Sequence, residues 1–186
     1  MNLLQKIYLI QSQLNSAISE YYLNERIKYW YEQNPNDYST ILQDLGTITE
    51  SLRNECLITI AKVFDSRDKK SISFQKIVNL INDTKCVENE EKHRTLKNIA
   101  NDAQSIIDNH NIKELISWRD HYLAHLDKSL KKYMQMNFDV PYLISICSNI
   151  FSILNKILKI FGEDEILLTA DIYKNSIDKL FIKYNK

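Results

Sequence analysis

Apolar residues recur at helical spacing along almost the whole chain, which predicts helices rather than strands. The first helix is predicted from about Leu3 to about Trp30, and the second from about Asp37 to about Phe64. Between them, Pro35 in the stretch Asn34–Asp37 breaks the helix, because proline removes a backbone donor and restricts the residue before it. Two long helices joined by a short break predict an antiparallel hairpin. The predicted apolar side of the second helix consists of Ile41, Leu45, Ile48, Leu52, Cys56, Ile60 and Val63.

Two further helices are predicted after the polar turn Asp65–Lys70. Ser73 is a typical N-cap residue, and Ile72 and Ile77 are spaced to form a hydrophobic staple around it. The second of these helices, which is highly charged at its start, is predicted over about Glu88–Asp108. The apolar positions of the short helix that follows Ser73 are Phe74, Ile77, Val78 and Ile81.

Asn111 and Glu114 have the spacing of a capping box and predict the start of a helix that runs to about Leu126. The remaining predicted elements are a loop at Lys131–Asp139, an apolar helix at Tyr142–Phe161 that ends at Gly162, and an amphipathic helix at Ile166–Tyr184. No repeat, glycine-rich phosphate loop or domain boundary stands out. The pattern therefore predicts an all-α fold in which residues 1–186 form a single-domain antiparallel bundle of about six to seven helices.

The composition supports this interpretation and limits the function. The 186 residues include only two glycines and two prolines, whereas sheets and their tight turns use many of both. The 24 Lys and Arg residues balance the 24 Asp and Glu residues, so the formal net charge is zero. A wide, sequence-independent grip on duplex nucleic acid is not expected without a basic excess. A small local site for a single phosphate is compatible with this balance.

The cysteines and the apolar segments indicate a reducing, cytoplasmic environment. Three scattered cysteines without a CxxC pair predict neither a disulfide framework nor a zinc site, and no other clear metal-ligand cluster or cofactor motif is present. The N-terminus lacks the basic and apolar regions of a signal peptide. Serine, asparagine and lysine residues interrupt Tyr142–Phe161, which is too polar for a membrane span. We expect no membrane partner.

The helix that ends near Leu126 carries the residues of greatest chemical interest. On a helical wheel Arg119 falls in the middle of the apolar face, where an unpaired guanidinium is costly to bury. It therefore needs a carboxylate, a polar pocket or a partner chain. His125 falls at the edge of that face, about 120° from Arg119, so one ideal helix does not bring the two together. Asp120 and His121 are predicted to point away from the apolar face.

Two interpretations of this helix remain open from the residues alone. In one, Arg119 is a structural residue tied to a carboxylate and His125 is a satisfied helix-edge histidine. In the other, the two side chains belong to a site that a bend, the reach of the arginine, or a second chain completes.

The segment Arg119-Asp-His-Tyr-Leu-Ala-His125 resembles the motif of the HEPN superfamily, an arginine and a histidine separated by a short spacer. The sequence Phe64-Asp-Ser-Arg, followed by Ser71-Ile-Ser-Phe, resembles the abortive-infection U-type branch of that superfamily. The resemblance covers most of the chain. It implies a HEPN-like bundle and a metal-independent endoribonuclease of a toxin–antitoxin or phage-defence system. It also implies a homodimer in which the motifs of two protomers share one cleft.

In that interpretation Arg119, His125 and Asp120 are the catalytic residues, and His121 and Tyr122 contact the substrate. Arg119 would stabilise the scissile phosphate, Asp120 would orient Arg119 or a histidine, and His125 would transfer protons during attack by the ribose 2′-OH. The implied partners are RNA, a second copy of the chain, and an antitoxin or regulatory protein.

One departure from the superfamily concerns its regulation. Some HEPN toxins have a tyrosine two residues after the motif histidine, where AMP is attached, and this chain has Asp127 there. The alternative function is a catalytically inactive HEPN-like module that acts as a nucleotide- or protein-binding subunit, with Arg119 as a structural anchor. A regulatory helical bundle without any link to nucleotides is a third interpretation.

Overall fold

The structure is a computed structural model that describes residues 1–33, 42–67, 70–124 and 137–168. These residues form six helices and no strand, which confirms the predicted all-α fold. The helices are α1 (Leu3–Gln33), α2 (Leu42–Phe64), α3 (Phe74–Asp83), α4 (Glu90–Ile107), α5 (His110–Ala124) and α6 (Val140–Phe161).

Helices α1 and α2 form the predicted hairpin and share the most extensive contact among the described helices. Buried side chains lie in α1 up to Asn24 and in α2 from Cys56 onward, so the two helices run in opposite directions. The predicted apolar side of α2 is therefore correct only in its second half. Ile48 is 47% exposed, because the first half of α2 projects beyond the core, and Ile41 lies outside the described residues.

The capping predictions were correct for α3 and wrong for α5. The Ser73 hydroxyl accepts a hydrogen bond from the backbone N–H of Lys76, and the predicted apolar side chains of α3 are all buried. Helix α5 begins one residue before the predicted cap. The Asn109 side chain accepts from the backbone N–H of Asn111 at 2.9 Å, and Glu114 pairs with His110 instead of closing a capping box. Asn109, one position before the helix, satisfies a free backbone N–H of the first turn and is therefore the N-cap residue.

Helix α6 supplies a large share of the core. Asp139 caps its start and Gly162, with φ of 82°, ends it in the left-handed conformation that was expected there. Its length and hydropathy would suffice to cross a membrane, but half of its most apolar window is buried against the rest of the domain. Its ten buried residues are Val140, Leu143, Ile144, Ile146, Cys147, Ile150, Phe151, Leu154, Ile157 and Leu158.

The predicted last helix does not begin at Ile166. Residues 163–168 are not helical, and the rest of that prediction lies outside the described residues. Asn155 on α6 holds this segment, since its side chain makes two hydrogen bonds with the backbone of Ile166, at 2.9 and 3.1 Å. The buried Gln11 of α1 donates to the same Asn155 oxygen at 2.7 Å. Of the predicted loop Lys131–Asp139, only residues 137–139 are described, and they are not helical.

The packing of α1 predicts that this helix is an integral part of the domain. Leu14 is fully buried, so Leu14→Ala should lower the free energy of unfolding by about 2–5 kcal/mol through lost burial and the cavity left behind. Chemical denaturation followed by circular dichroism measures this change. Leu9→Ala, on the same helix at 40% exposure, is the matched control and should change stability by less than about 1 kcal/mol. Equal effects of the two substitutions would contradict the assigned packing of α1.

Candidate functional site

Helix α5 places Arg119 on its buried side, as the wheel predicted. Ile112, Leu115 and Trp118 are buried against the core, and the Arg119 side chain is only 11% exposed. A guanidinium this deep in an apolar face needs an anionic partner. Two carboxylates supply it, which matches the first of the partners expected for Arg119.

The two carboxylates bind three of the N–H groups of Arg119. Asp65, the residue that follows the last turn of α2, accepts from Nη2 at 2.5 Å and is itself only 9% exposed. Asp120 accepts from Nη2 at 2.7 Å and from Nε at 3.2 Å. None of these hydrogen bonds uses Nη1 of Arg119. The arginine is therefore fixed along one edge of its planar guanidinium.

Arg67 closes these contacts into a ring of four charges. Its guanidinium donates to both oxygens of Asp65, at 2.9 and 3.0 Å, and its Nη2 lies 2.6 Å from Oδ2 of Asp120. Its backbone N–H also donates to Asp65, at 2.9 Å. We call Asp65, Arg67, Arg119 and Asp120 the four-charge cluster. It contains two cations and two anions, so it carries no net charge.

Ionisation of the four-charge cluster follows from these hydrogen bonds. The Arg67 side chain, together with Arg119, holds the pKa of Asp65 well below its usual range despite burial. Burial opposes the charged form of Asp120, but the hydrogen bonds from Arg119 and Arg67 outweigh it and lower its pKa. Burial also opposes the charge of Arg119, and the two carboxylates outweigh it and raise its pKa. All four groups are therefore charged at neutral pH.

An open groove of about 480 Å³ runs beside the four-charge cluster, between the end of α2 and the outer side of α5. Arg67, Lys113, Ser117, Asp120 and His121 line it, and the Arg67 side chain is 60% exposed. The Nδ1 atom of His121 lies 2.7 Å from the backbone carbonyl of Ser117. Arg119 is not among the described residues that line the groove, and its side chain is 11% exposed.

The structure brings together some of the predicted site residues and separates others. Asp120 contacts Arg119 directly, although the wheel placed it away from the apolar face, because a short side chain on the next residue reaches the long arginine. His121 faces the groove. Tyr122 stacks on Trp118 with ring centroids 5.0 Å apart, on the opposite side of α5. His125 lies outside the described residues.

Sequence reasoning missed Asp65 as the partner of Arg119, and Arg67 as the cation that binds both Asp65 and Asp120. The Phe64-Asp-Ser-Arg segment indicated only a family resemblance, and Asp65 precedes Arg119 by 54 positions. An acidic residue directly after a buried helix end was the available signal, but it does not specify which cation it binds.

The all-helical bundle, with an arginine fixed at the edge of its core, agrees with the HEPN-like fold that the Arg-to-His segment implied. The sequence model of the HEPN family described as AbiU2 matches residues 42–173, and the chain belongs to this HEPN-type abortive-infection family. Helix α1 precedes the matched residues. No curated protein and no solved structure gives a significant match.

The four-charge cluster predicts a large loss of stability for Asp65→Asn. The substitution keeps the shape of the side chain but leaves Arg119 with one carboxylate, so unfolding should become easier by about 3 kcal/mol. Glu90→Gln breaks an exposed ion pair with Lys85 and should change stability far less than Asp65→Asn, which makes it the matched control. The measurement is urea denaturation at pH 7.

The same experiment at low pH tests the electrostatic cause. Because the pKa of Asp65 is lowered on folding, its contribution is fully present above about pH 5 and is lost as the pH falls through about 4 toward the folded value. The difference between wild type and Asp65→Asn should therefore shrink between pH 7 and pH 3. A difference that stays constant with pH would show that packing, not charge, explains the loss.

Proposed function

We propose that this chain is a metal-independent endoribonuclease of a toxin–antitoxin or phage-defence system, with Arg119 and His125 in a site shared across a homodimer. One observation carries the proposal: in a HEPN AbiU2 chain, the motif arginine is held by two carboxylates with one amino group left over. An arginine that is oriented before substrate arrives costs little reorganisation when charge develops on a phosphate.

Arg119 is proposed to stabilise the scissile phosphate through Nη1. Asp65 and Asp120 use Nε and Nη2, so the two N–H groups of Nη1 make no hydrogen bond with a described residue. A phosphate oxygen can bind there without displacing either carboxylate. In this scheme Asp120 orients Arg119, as expected, and Asp65 is a second positioning residue.

His125 is proposed to move the protons. RNA carries its own nucleophile, the ribose 2′-OH. A neutral His125 takes the proton from this hydroxyl as the oxygen attacks the adjacent phosphorus, and a protonated His125 from the second copy gives a proton to the departing 5′-oxygen. The products are a 2′,3′-cyclic phosphate and a 5′-OH end. Both forms of an ordinary histidine are available near neutral pH.

The groove beside the four-charge cluster is proposed to guide the RNA strand. Arg67 and Lys113 line it and pair with carboxylates, Arg67 with Asp65 and Asp120 and Lys113 with Asp108. His121 and Ser117 offer hydrogen-bonding groups. Because three aspartates also line the groove, the strand is proposed to be held by local hydrogen bonds and not by a basic surface. Tyr122 is proposed to contact substrate from the other side of α5, next to Trp118. RNA cleavage of this kind belongs in the cytoplasm, where an antitoxin or regulatory protein would restrain it.

A second function is favoured by a different aspect of the same cluster. Arg119 is fully neutralised by Asp65 and Asp120, and this is also the arrangement of a structural anchor. In that case the chain would be an inactive HEPN-like subunit that binds nucleotides or proteins. The ribonuclease requires His125 for cleavage, whereas the inactive binding subunit does not require it.

Purified protein should cleave mixed RNA in the presence of EDTA, and His125→Ala should reduce the rate about 10²–10⁴-fold because the general acid–base group is lost. Arg119→Lys keeps the charge and loses the planar fork, so it should also slow cleavage without unfolding the domain. Gel analysis with a test for cyclic phosphate ends measures both effects. His110→Ala, at an exposed position of α5, is the matched histidine control.

If wild type and His125→Ala cleave equally, or if neither cleaves, the ribonuclease proposal fails and the binding module replaces it. In cells, expression of the wild type should arrest growth and His125→Ala should relieve the arrest.

A shared site also predicts the oligomeric state. Arg119 and His125 lie about 120° apart on an ideal helix, and we propose that a second copy of the chain, in preference to a bend or the reach of the arginine, completes the site. Analytical ultracentrifugation at micromolar concentration should show a dimer, and dilution below the dimer dissociation constant should abolish cleavage. A strict monomer with full activity would rule out the composite site.

A further inference from the structure

A second site is indicated on the other side of α5, in a cleft between α1, α2 and the start of α6. The cleft has a volume of about 210 Å³. Tyr21 and Asn24 of α1, Arg53 of α2, and Phe138 just before α6 line it, with Lys28 beside them. None of these residues takes part in the four-charge cluster or its groove.

Asn24 is the unusual residue of this cleft. It lies seven positions after Ala17 on the buried side of α1, where an apolar residue is expected, and it is 2% exposed. Its Oδ1 atom is buried without a hydrogen-bond partner among the described residues. A buried amide oxygen without a partner destabilises a fold, so its presence in a cleft indicates a ligand that supplies the missing hydrogen bond.

The other lining residues restrict the kind of ligand. Burial raises the pKa of Cys56 to about 12, so its thiol stays neutral and is suited neither to nucleophilic attack nor to metal binding. Tyr21 and Phe138 contribute aromatic surface. Lys28 pairs with Glu25 at 2.9 Å, whereas Arg53 forms no ion pair with a described residue and adds a positive charge. The ligand should therefore combine a flat ring, a hydrogen-bonding edge and an anionic group.

The size of the cleft further restricts the kind of ligand that it can hold. Pockets for drug-sized ligands are usually about 300–1,000 Å³, so this cleft holds one ring system and leaves the anionic group at the rim. An asparagine amide pairs with the edge of a nucleobase through one donor and one acceptor. We propose that the cleft binds a nucleobase with its phosphate, in which the Asn24 amide pairs with the base edge and Arg53 receives the phosphate.

The cleft lies next to the motif helix. Phe138 contacts Trp118 edge to face, with ring centroids 5.7 Å apart, and Trp118 precedes Arg119. A base in the cleft would thus be separated from Trp118 of α5 by the ring of Phe138. It comes either from a free nucleotide or from the RNA strand. The proposal does not depend on ribonuclease activity, because binding is measured directly.

The test uses the full chain and the four ribonucleoside monophosphates, with the matching nucleosides and inorganic phosphate as separate probes. At least one monophosphate should raise Tm and bind in isothermal titration calorimetry, and phosphate alone at the same concentration should do neither.

Asn24→Leu keeps the branched shape of the side chain. It should raise or preserve Tm without ligand, and it should weaken binding of the monophosphate at least tenfold. Arg53→Gln should weaken the monophosphate about tenfold and the nucleoside less than twofold. Arg94→Gln, on α4, is the control and should change neither.

Two outcomes would overturn the proposal. One is that no monophosphate binds the wild type at millimolar concentration. The other is that Arg53→Gln and Asn24→Leu bind as tightly as the wild type. If Asn24→Leu fails to fold, the comparison of Arg53→Gln with Arg94→Gln still decides. A 2′-O-methyl RNA oligonucleotide, which lacks the attacking hydroxyl, separates the two sources: displacement by the monophosphate indicates a base of the strand, and independent binding indicates a free nucleotide.

Discussion

The ion pair between Asp65 and Arg119 connects the two parts of the molecule on which the candidate site depends. Asp65 directly follows α2, and Arg119 lies in the middle of the buried side of α5, which makes its most extensive described contact with α2. Without the Asp65 carboxylate, a guanidinium at 11% exposure would keep Asp120 as its single carboxylate among the described residues, and its burial would be poorly compensated. Asp65 accepts four hydrogen bonds, so its own burial is compensated as well. The position of the motif helix and the orientation of its arginine thus have a single cause.

The pairing of Arg119 with two carboxylates has two opposite consequences for binding a phosphate. The two carboxylates fix the guanidinium in one plane, which favours catalysis because less order must be created when substrate binds. They also cancel its charge, so a phosphate is attracted to this point only weakly. Arg67 and Lys113 along the groove do not offset the second effect, because each is paired with aspartates that line the same groove. Substrate recognition in such a site would rely on geometry more than on long-range attraction, in agreement with the zero net charge of the chain.

The helices were predictable because each depends on nearby residues. Ser73 and Gly162 end or begin helices through contacts within a few positions, and the structure confirms both. The wrong predictions concern positions whose burial or conformation depends on residues that are distant in the sequence. Ile48 matches the apolar spacing of α2 but stays exposed, because the part of the hairpin that it occupies lies beyond the core. Ile166 was predicted to start a helix, but Asn155 binds its backbone and keeps the segment non-helical.

In the candidate site, too, the features that depend on nearby residues could be predicted, and those that depend on distant residues could not. The need of Arg119 for an anion followed from the wheel alone, since desolvation is a local cost. The identity of that anion did not follow, because Asp65 is one of many acidic residues and only the fold brings it within hydrogen-bonding distance. Helix α1 extends this argument beyond the family match, which begins at residue 42. It buries Ile7, Leu14 and Ile18 in the core and also supplies Asn24, a residue that the core does not need. A helix that only completed the core would carry an apolar side chain there, so the amide argues that α1 brings a second recognition surface to the side of α5 opposite the groove.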